Sequence, residues 1–266
     1  MHIPNAGSPS GIQKNRETKP ASITTRIDTD LEYTLDEFTT DPISITNADI
    51  VELSYDKRNS IIANDRAQLQ KAVSEAVMQA WAGSAGNVVE TSGEDRAVHT
   101  GGKATGNRKK ITKENVHELA TQFDVDDIPF ADRYLLLDAI MYNDLIDDMT
   151  AKELTAFQMN ADIKTGVMGD LYGFKIMKRS RVLRVDSKNA VLDWGSDTGA
   201  TTDCAAGLAW QASCVSYALG DVKMFDEIDS PTMYGDIYSF LVRAGGSIRR
   251  NDKKGIALIA EATATA

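Results

Sequence analysis

The chain has 266 residues, with 39 acidic against 29 basic side chains and a net charge of -10. That length supports one or two domains with a real core, and the acidic balance speaks against a dedicated nucleic-acid binder, which carries a basic footprint. No run approaches the roughly 20 apolar residues of a membrane span, and the basic residues Lys14, Arg16, Lys19 and Arg26 have no apolar stretch behind them, so no signal peptide is expected.

Residues 1–30 are rich in Pro, Ser, Thr, Gly and Lys and lack periodicity. Two readings stand: a disordered tail, or an arm that orders only against a neighbouring subunit. From residue 31 the pattern changes. Leu31, Tyr33 and Leu35 alternate with polar residues, as do Ile43 with Ile45, and Val51 with Leu53 and Tyr55. This is strand-like, and the break from Phe38 to Pro42 predicts two extended stretches around a turn, a polar hairpin projecting from the body.

Residues 60–82 give the clearest helix. Ile62, Leu69, Val73, Ala76, Val77 and Ala80 follow the helical period, Ser60 is the candidate cap and Gly83 the stop. Residues 84–110 carry five glycines among polar residues and read as a linker between two lobes. A second helix is predicted over 112–124, capped by Thr112, with Val116, Leu119, Ala120 and Phe123 in one stripe. Asp127-Ile128-Pro129 reads as a turn, Arg133 to Leu137 as a buried strand, and Ala139 to Ile146 as a short helix capped by Asp138. Later strands are expected over Phe174–Met177, Val182–Val185, Leu208–Leu219, Tyr238–Val242 and Ile256–Ala260. Turns are expected at Asp186 to Asn189, Ala244-Gly245-Gly246 and Asn251 to Gly255. No repeats and no βαβ alternation are visible, so the class is α+β.

Catalytic chemistry is hard to place. Gly101-Gly102-Lys103 fails as a phosphate loop, because Ala97 stands where the first Gly belongs and Ala104 where Ser or Thr belongs. There is no dinucleotide fingerprint and no nucleophile elbow. The three histidines are His2, His99 and His117, and His99 and His117 are expected to be solvated. The acidic clusters at Asp124 to Asp127 and Asp144 to Asp148 lack calcium-loop spacing and read as solvated helix ends, with acid–base or metal work as the alternative. Cys204 and Cys214 read as inert reduced thiols, with a metal or redox role as the alternative. The basic runs Arg179, Arg181, Arg184 and Arg243, Arg249, Arg250, Lys253, Lys254 either face acidic patches of neighbouring subunits or are solvated turns.

The segments in order resemble a known pattern. Thr34-Leu35-Asp36-Glu37-Phe38, then Ala48 to Arg58, run into the helix that ends in Trp81-Ala82. Asn87 to Gly93 follows, then Ile128-Pro129-Phe130-Ala131-Asp132-Arg133 leading into Tyr134 to Leu137. Gly173-Phe174-Lys175-Ile176, Gly207 to Gln211 and Gly235 to Phe240 complete it. Over residues 30 to 260 this resembles the major capsid proteins of tailed bacteriophages with the Hong Kong 97-type fold. The resemblance implies an N-terminal arm over 1–31, an extended loop over 32–58, and a peripheral domain with spine helix and linker over 59–110. It further implies an axial domain over 111–220 and returning strands of both domains over 221–266.

The resemblance also implies what the chain does. It would self-assemble as pentamers and hexamers into an icosahedral shell around double-stranded DNA, read without sequence specificity. A wall facing packed DNA has no need to grip it, in keeping with the acidic charge. No catalytic residue, cofactor, metal or membrane is implied. Partners would be further copies, a portal, and a scaffold or decoration protein. Only about thirty residues precede the loop, so any scaffold is expected to be separate or absent. The location would be the virion, assembled in the host cytoplasm. Tyr33, Leu35, Phe38, Ile43 and Ile45 are the candidate intersubunit residues of the extended loop. Two other readings remain: an encapsulin-type shell subunit around a cargo enzyme, and a small acidic hydrolase built on residues such as Asp126 and Asp127.

Overall fold

A computed structural model describes residues 1–5, 14–15, 29–46, 57–83, 85–100, 103–162, 164–193 and 200–264. Most of the expected arm, the stretch Ile50 to Tyr55, and Gly101-Gly102 lie outside the described residues. Two short strands, β1 (His2–Asn5) and β2 (Thr29–Glu32), pair antiparallel. Beyond them the chain builds one large sheet, one narrower sheet and a long helix that lies on the narrower one.

The large sheet has eight strands: β5 (Asn87–Glu90), β8 (Arg133–Asp138), β9 (Val167–Leu171), β10 (Phe174–Arg179), β11 (Leu183–Val185), β12 (Val191–Leu192), β13 (Cys204–Gln211) and β17 (Ile256–Ala260). The β8 stretch Leu135-Leu136-Leu137 and all of β17 are continuous apolar runs, because both faces of this sheet are covered. On one face Leu135, Leu137, Ala209 and Ile259 pack with Val116, Leu119, Phe123, Met141, Leu145 and Phe157 from three helices. These are α2 (Lys113–Val125), α3 (Ala139–Asp147) and α4 (Ala151–Gln158). On the other face Leu136, Leu208 and Leu258 pack with Met78 and Ala82 from the end of α1 (Lys57–Ala82).

Two of the helices begin where their caps dictate. Asp138 accepts hydrogen bonds from the Ile140 and Met141 amides at 2.9 and 2.7 Å, and thereby starts α3. Thr150 and Glu153 form a reciprocal capping box at the start of α4, a helix that sequence periodicity did not single out. Between β8 and β10 the chain crosses through α3, α4 and β9, and β10 returns parallel to β8. This single crossover lies in a mostly antiparallel sheet, so the class remains α+β. The two short helices are joined by Asp148-Met149-Thr150 and carry too few turns to show a strong period.

The narrower sheet is organised around β16 (Gly235–Ile248), a 14-residue strand. On one edge run β14 (Val215–Leu219) and β15 (Lys223–Ser230); on the other run β3 (Asp36–Thr39) and β4 (Ile43–Thr46). Leu241 pairs with both Thr39 and Lys223, and Ala244 with both Asp36 and Leu219, which puts β3 and β14–β15 on opposite edges. Gly245-Gly246, expected as a turn, lies inside β16. A Cβ at Gly246 would stand 2.9 Å from the Trp81 indole nitrogen, and one at Gly245 2.7 Å from the Thr34 carbonyl, so glycine here serves close approach. The strand expected over Leu208–Leu219 is two strands in different sheets, divided at Ala212–Cys214 by a short 3-10 turn.

Helix α1 starts at Lys57, before the expected cap Ser60, and ends at Ala82, where the Gly83 amide donates to the Gln79 carbonyl at 2.8 Å. Ala80, expected on the apolar face, is exposed. The expected linker is also structured: β5 joins the large sheet, and β6 (Asp95–Ala97) pairs with β7 (Asn107–Lys109) as a hairpin.

Candidate assembly surface

The residues singled out on the extended loop are not on a hairpin. β3 and β4 both run antiparallel to β16 along the same edge, so the break at Phe38 to Pro42 does not reverse the chain. The Thr40 amide donates to the Phe240 carbonyl, and the Thr40 hydroxyl accepts from the Phe240 amide, both at 2.9 Å. Those two bonds carry the pairing into the break, where Asp41 and Pro42 step out of the ladder and the register shifts by one residue, from Thr39 opposite Leu241 to Ile43 opposite Tyr238.

Cross-strand register then fixes which way the loop's apolar side chains point. Phe38 pairs with Val242 and packs with Phe240, Leu69, Ile62 and Val73 beneath α1. Ile43 pairs with Tyr238, whose ring lies under Arg58 of α1 at 5.0 Å, and Ile45 is buried. Tyr33 and Leu35 sit toward the other face: Leu35 approaches Gly245, and the Tyr33 hydroxyl is 3.5 Å from Ser216 Oγ. So Phe38, Ile43 and Ile45 are engaged with their own chain, and Tyr33 and Leu35 are half-buried against it.

The exposed apolar surface lies on the opposite edge of the same sheet. Tyr217, Leu219, Val222, Met224, Phe225 and Ile228 follow one another along β14, the link after it and β15, and Met233 and Tyr234 occupy the turn after them. The edge of β15 facing away from β16 pairs with no strand among the described residues. Apolar clusters of this extent on an open strand mark an interaction surface. Sequence reading missed it because Lys223-Met224-Phe225-Asp226-Glu227-Ile228 does not alternate cleanly. The usable signal was three large apolar residues in a segment too charged to be core.

No protein-family model matches this chain, and no curated protein matches it in sequence. Solved structures do. The capsid protein of cyanophage P-SCSP1u superimposes with a TM-score of 0.67 at 15% identity, over 99% of this chain and 84% of that one. The head protein of Helicobacter pylori bacteriophage KHP40 gives 0.66 at 10% identity, over 98% and 83%. The mature capsid protein of bacteriophage PhiM1 gives 0.64 at 12% identity, over 97% and 81%. The fold is that of phage capsid proteins. It is the α+β, Hong Kong 97-type architecture that the ordered sequence segments resemble.

Within this capsid fold, the polar residues that invited a catalytic reading are tied into structure. His99, expected to be solvated, is largely buried between α3 and the end of β17. Its Nε2 is 2.7 Å from Asp138, and its Nδ1 is 2.6 Å from the Arg96 guanidinium. Arg96 can only donate, so in the neutral ring Nδ1 accepts and Nε2–H donates to Asp138, and both ring nitrogens are engaged within the chain. Arg96 also bonds Asp144 at 2.6 Å and pairs with Glu261. Asp144 is therefore a buried anchor rather than a solvated helix end. The network clamps the β6–β7 hairpin onto the large sheet. Burial pushes the Glu261 carboxyl up, against the opposing pull of His99 and Arg96.

The remaining candidates resolve in the same way. Arg184, in the first basic run, is buried and paired with Asp203 at 2.7 Å, and Arg179 lies 3.6 Å from Glu75. In the second run Arg250 pairs with Asp252 and Lys254 with Asp126, each at 2.6 Å. Asp124 pairs with Arg133, whose buried guanidinium also donates to the Ile128 and Pro129 carbonyls and fixes the turn before β8. His117 is exposed, as expected, and meets the Tyr172 ring edge-on. Cys204 and Cys214 are buried free thiols, and burial pushes both thiols up, so they stay protonated rather than acting as thiolates. Among the described residues no group of three or more His, Cys, Asp or Glu side chains is placed to hold a metal ion, and no helix is long and apolar enough to cross a membrane.

Proposed function

We propose that this chain is the major capsid protein of a tailed phage, a structural subunit that assembles as pentamers and hexamers into an icosahedral head enclosing double-stranded DNA. The observation that carries the reading is the extent of the fit. The capsid fold takes in 97–99% of this chain and 81–84% of the three matched capsid proteins, with little left over on either side. The exposed apolar edge supports it, since a subunit that works alone has no use for such a surface.

In this reading α1 is the spine helix, and its layer with β3, β4 and β14–β16 is the peripheral domain. The eight-stranded sheet with α2, α3 and α4 is the axial domain. The two interleave in sequence. Tyr33 and Leu35 remain candidate contacts of the extended loop with a neighbour, while Phe38, Ile43 and Ile45 fasten the base of that loop to its own subunit. Copies of the chain are the principal partners, with a portal and a separate scaffold or decoration protein as further ones. The acidic chain encloses DNA without gripping it, and its place is the virion, after assembly in the host cytoplasm.

Negative-stain electron microscopy of the protein, expressed alone and with the other head proteins of its phage, tests the proposal. Closed shells, rings or tubes are expected. A protein that stays dispersed under both conditions would overturn it. Nuclease-protected DNA inside the shells of the complete system is expected; shells that enclose a cargo protein instead would point to a nanocompartment subunit.

A further inference from the structure

The layer built on α1 carries two apolar features that one copy cannot bring together. The first is the turn between β15 and β16. Asp229 and Tyr234 both adopt positive φ, at 55° and 49°, which non-glycine residues rarely accept. The turn is held in that form by several bonds. The Tyr234 amide donates to the Ser230 carbonyl at 2.9 Å, the Asp229 amide donates to Asp236 at 3.0 Å, and the Tyr238 hydroxyl donates to the same carboxylate at 2.9 Å. What this strained and well-bonded turn displays is Met233 and Tyr234, the latter 78% exposed. Backbone strain that its surroundings maintain points to a use for the displayed residues.

The second feature is a groove of about 300 Å³ between α1 and β14, lined by Val73, Val77, Met78, Trp81, Tyr217 and Leu219. Its floor is fixed. The Trp81 indole donates to the Ser216 carbonyl at 2.9 Å and packs on Trp210, which in turn stacks on Tyr134. The turn lies by the start of α1, where Arg58 covers Tyr238, and the groove lies along its second half. From Arg58 to Val77, at 1.5 Å rise per residue, is roughly 28 Å. Charge differs between the two ends as well. Asp226, Glu227 and Asp229 lead into the turn, while by the groove Lys71 stands one helical turn before Ser74 and Arg179, 3.8 Å from the Met78 sulfur, is paired with Glu75 at 3.6 Å, which leaves a small positive excess.

We propose that the 229–234 turn of one copy seats Tyr234 and Met233 in the α1–β14 groove of a second copy. The proposal rests on the capsid reading and names one contact within it. Such a contact is heterologous, the turn of each copy meeting the groove of the next, and repetition closes rings when the rotation between copies allows. The turn is pre-formed and the groove is rigid, so little ordering cost accompanies binding. The acidic flank of the turn meets the small positive excess beside the groove, which bears on register more than on affinity.

The test uses assembled particles. Tyr234→Cys and Leu219→Cys together should give a ladder of disulfide-linked oligomers on non-reducing gels under mild oxidation. Each single variant should give none beyond the wild-type background. Tyr234→Asp should reduce particle yield more than about tenfold, the range for losing a buried interface aromatic, with an unchanged subunit melting temperature because the side chain is exposed. Shells that form from Tyr234→Asp at wild-type yield, or a double-cysteine particle without crosslinks, would overturn this contact and leave the capsid reading standing. Failure of the wild-type chain to assemble even with its head partners would overturn both.

Discussion

Leu135, Leu137, Phe174 and Ile176 in the eight-stranded sheet have no solvent exposure, whereas every residue of β15 from Lys223 to Asp229 is exposed. The two regions belong to one chain and differ in what completes them. The large sheet is covered on both faces by its own helices and by the end of α1, and its charges are paired internally: Arg184 with Asp203, Arg96 with Asp144 and Glu261. In the α1 layer strands dock on both edges of β16, but β3 and β4 turn Phe38 and Ile45 inward, whereas β14 and β15 leave Tyr217, Leu219, Met224, Phe225 and Ile228 exposed. Stability of the subunit therefore resides mainly in the first region, and the capacity to associate in the second.

Substitutions can break that division, and their expected effects on the subunit fall in order. Phe174→Ala removes a wholly buried ring in edge-to-face contact with Phe123, and should cost about 3–5 kcal/mol by denaturant unfolding, enough to threaten folding. Asp203→Ala leaves the buried Arg184 guanidinium without its carboxylate and should cost a similar amount, about 3–5 kcal/mol. Gly246→Val drives a side chain into Trp81 and Val77 and should cost about 1–3 kcal/mol, with the loss felt where α1 lies on β16. Ile228→Ser on the open edge should change subunit stability by less than about 0.5 kcal/mol while lowering particle yield. An equal stability loss at Ile228 and Phe174 would refute the proposed division.

The clamp on the β6–β7 hairpin adds a pH dependence. Burial raises the Glu261 carboxyl above the ordinary 4.5 of a glutamate, so the folded chain holds that proton more tightly than the unfolded chain. The associated stability is present below the unfolded value and is lost as pH rises through the folded one. Glu261→Gln should flatten the fall in stability on going upward from pH 4.5, measured by denaturation across a pH series. Glu153 runs the other way: bonds from Thr150 and Lys113 hold it at about 2, so its contribution is present above 4.5 and lost only as pH falls toward 2. An unchanged pH profile in Glu261→Gln would place the dependence elsewhere.

How far the fold was legible follows from the same contrast. Helix α2 and its stripe, the Asp138 cap, and strands β8 and β17 could be read because each is a local pattern with a buried answer. The order of segments carried the capsid resemblance. Gly245-Gly246 misled, since glycine marks a turn and a close approach equally, and only Trp81 and Leu35 decide between them. The path of residues 36–46 was hidden as well: alternation announces a strand but not its partner, and the 14-residue length of β16 lets one strand dock both halves. His99 and Asp144 looked like surface residues because their network joins segments far apart in sequence: Arg96 lies 48 residues from Asp144, and Asp138 lies 39 from His99. The open edge of β15 was least legible of all, because its apolar residues are exposed and no packing within the described residues explains them.

Hydrogen exchange measured on assembled particles and on dissociated subunits tests the central claim most directly. Amides in β8, β13 and β17 should be protected in both states, and amides of β14, β15 and the 229–234 turn should gain protection only in the particle. Equal exchange of residues 215–234 in the two states would contradict it.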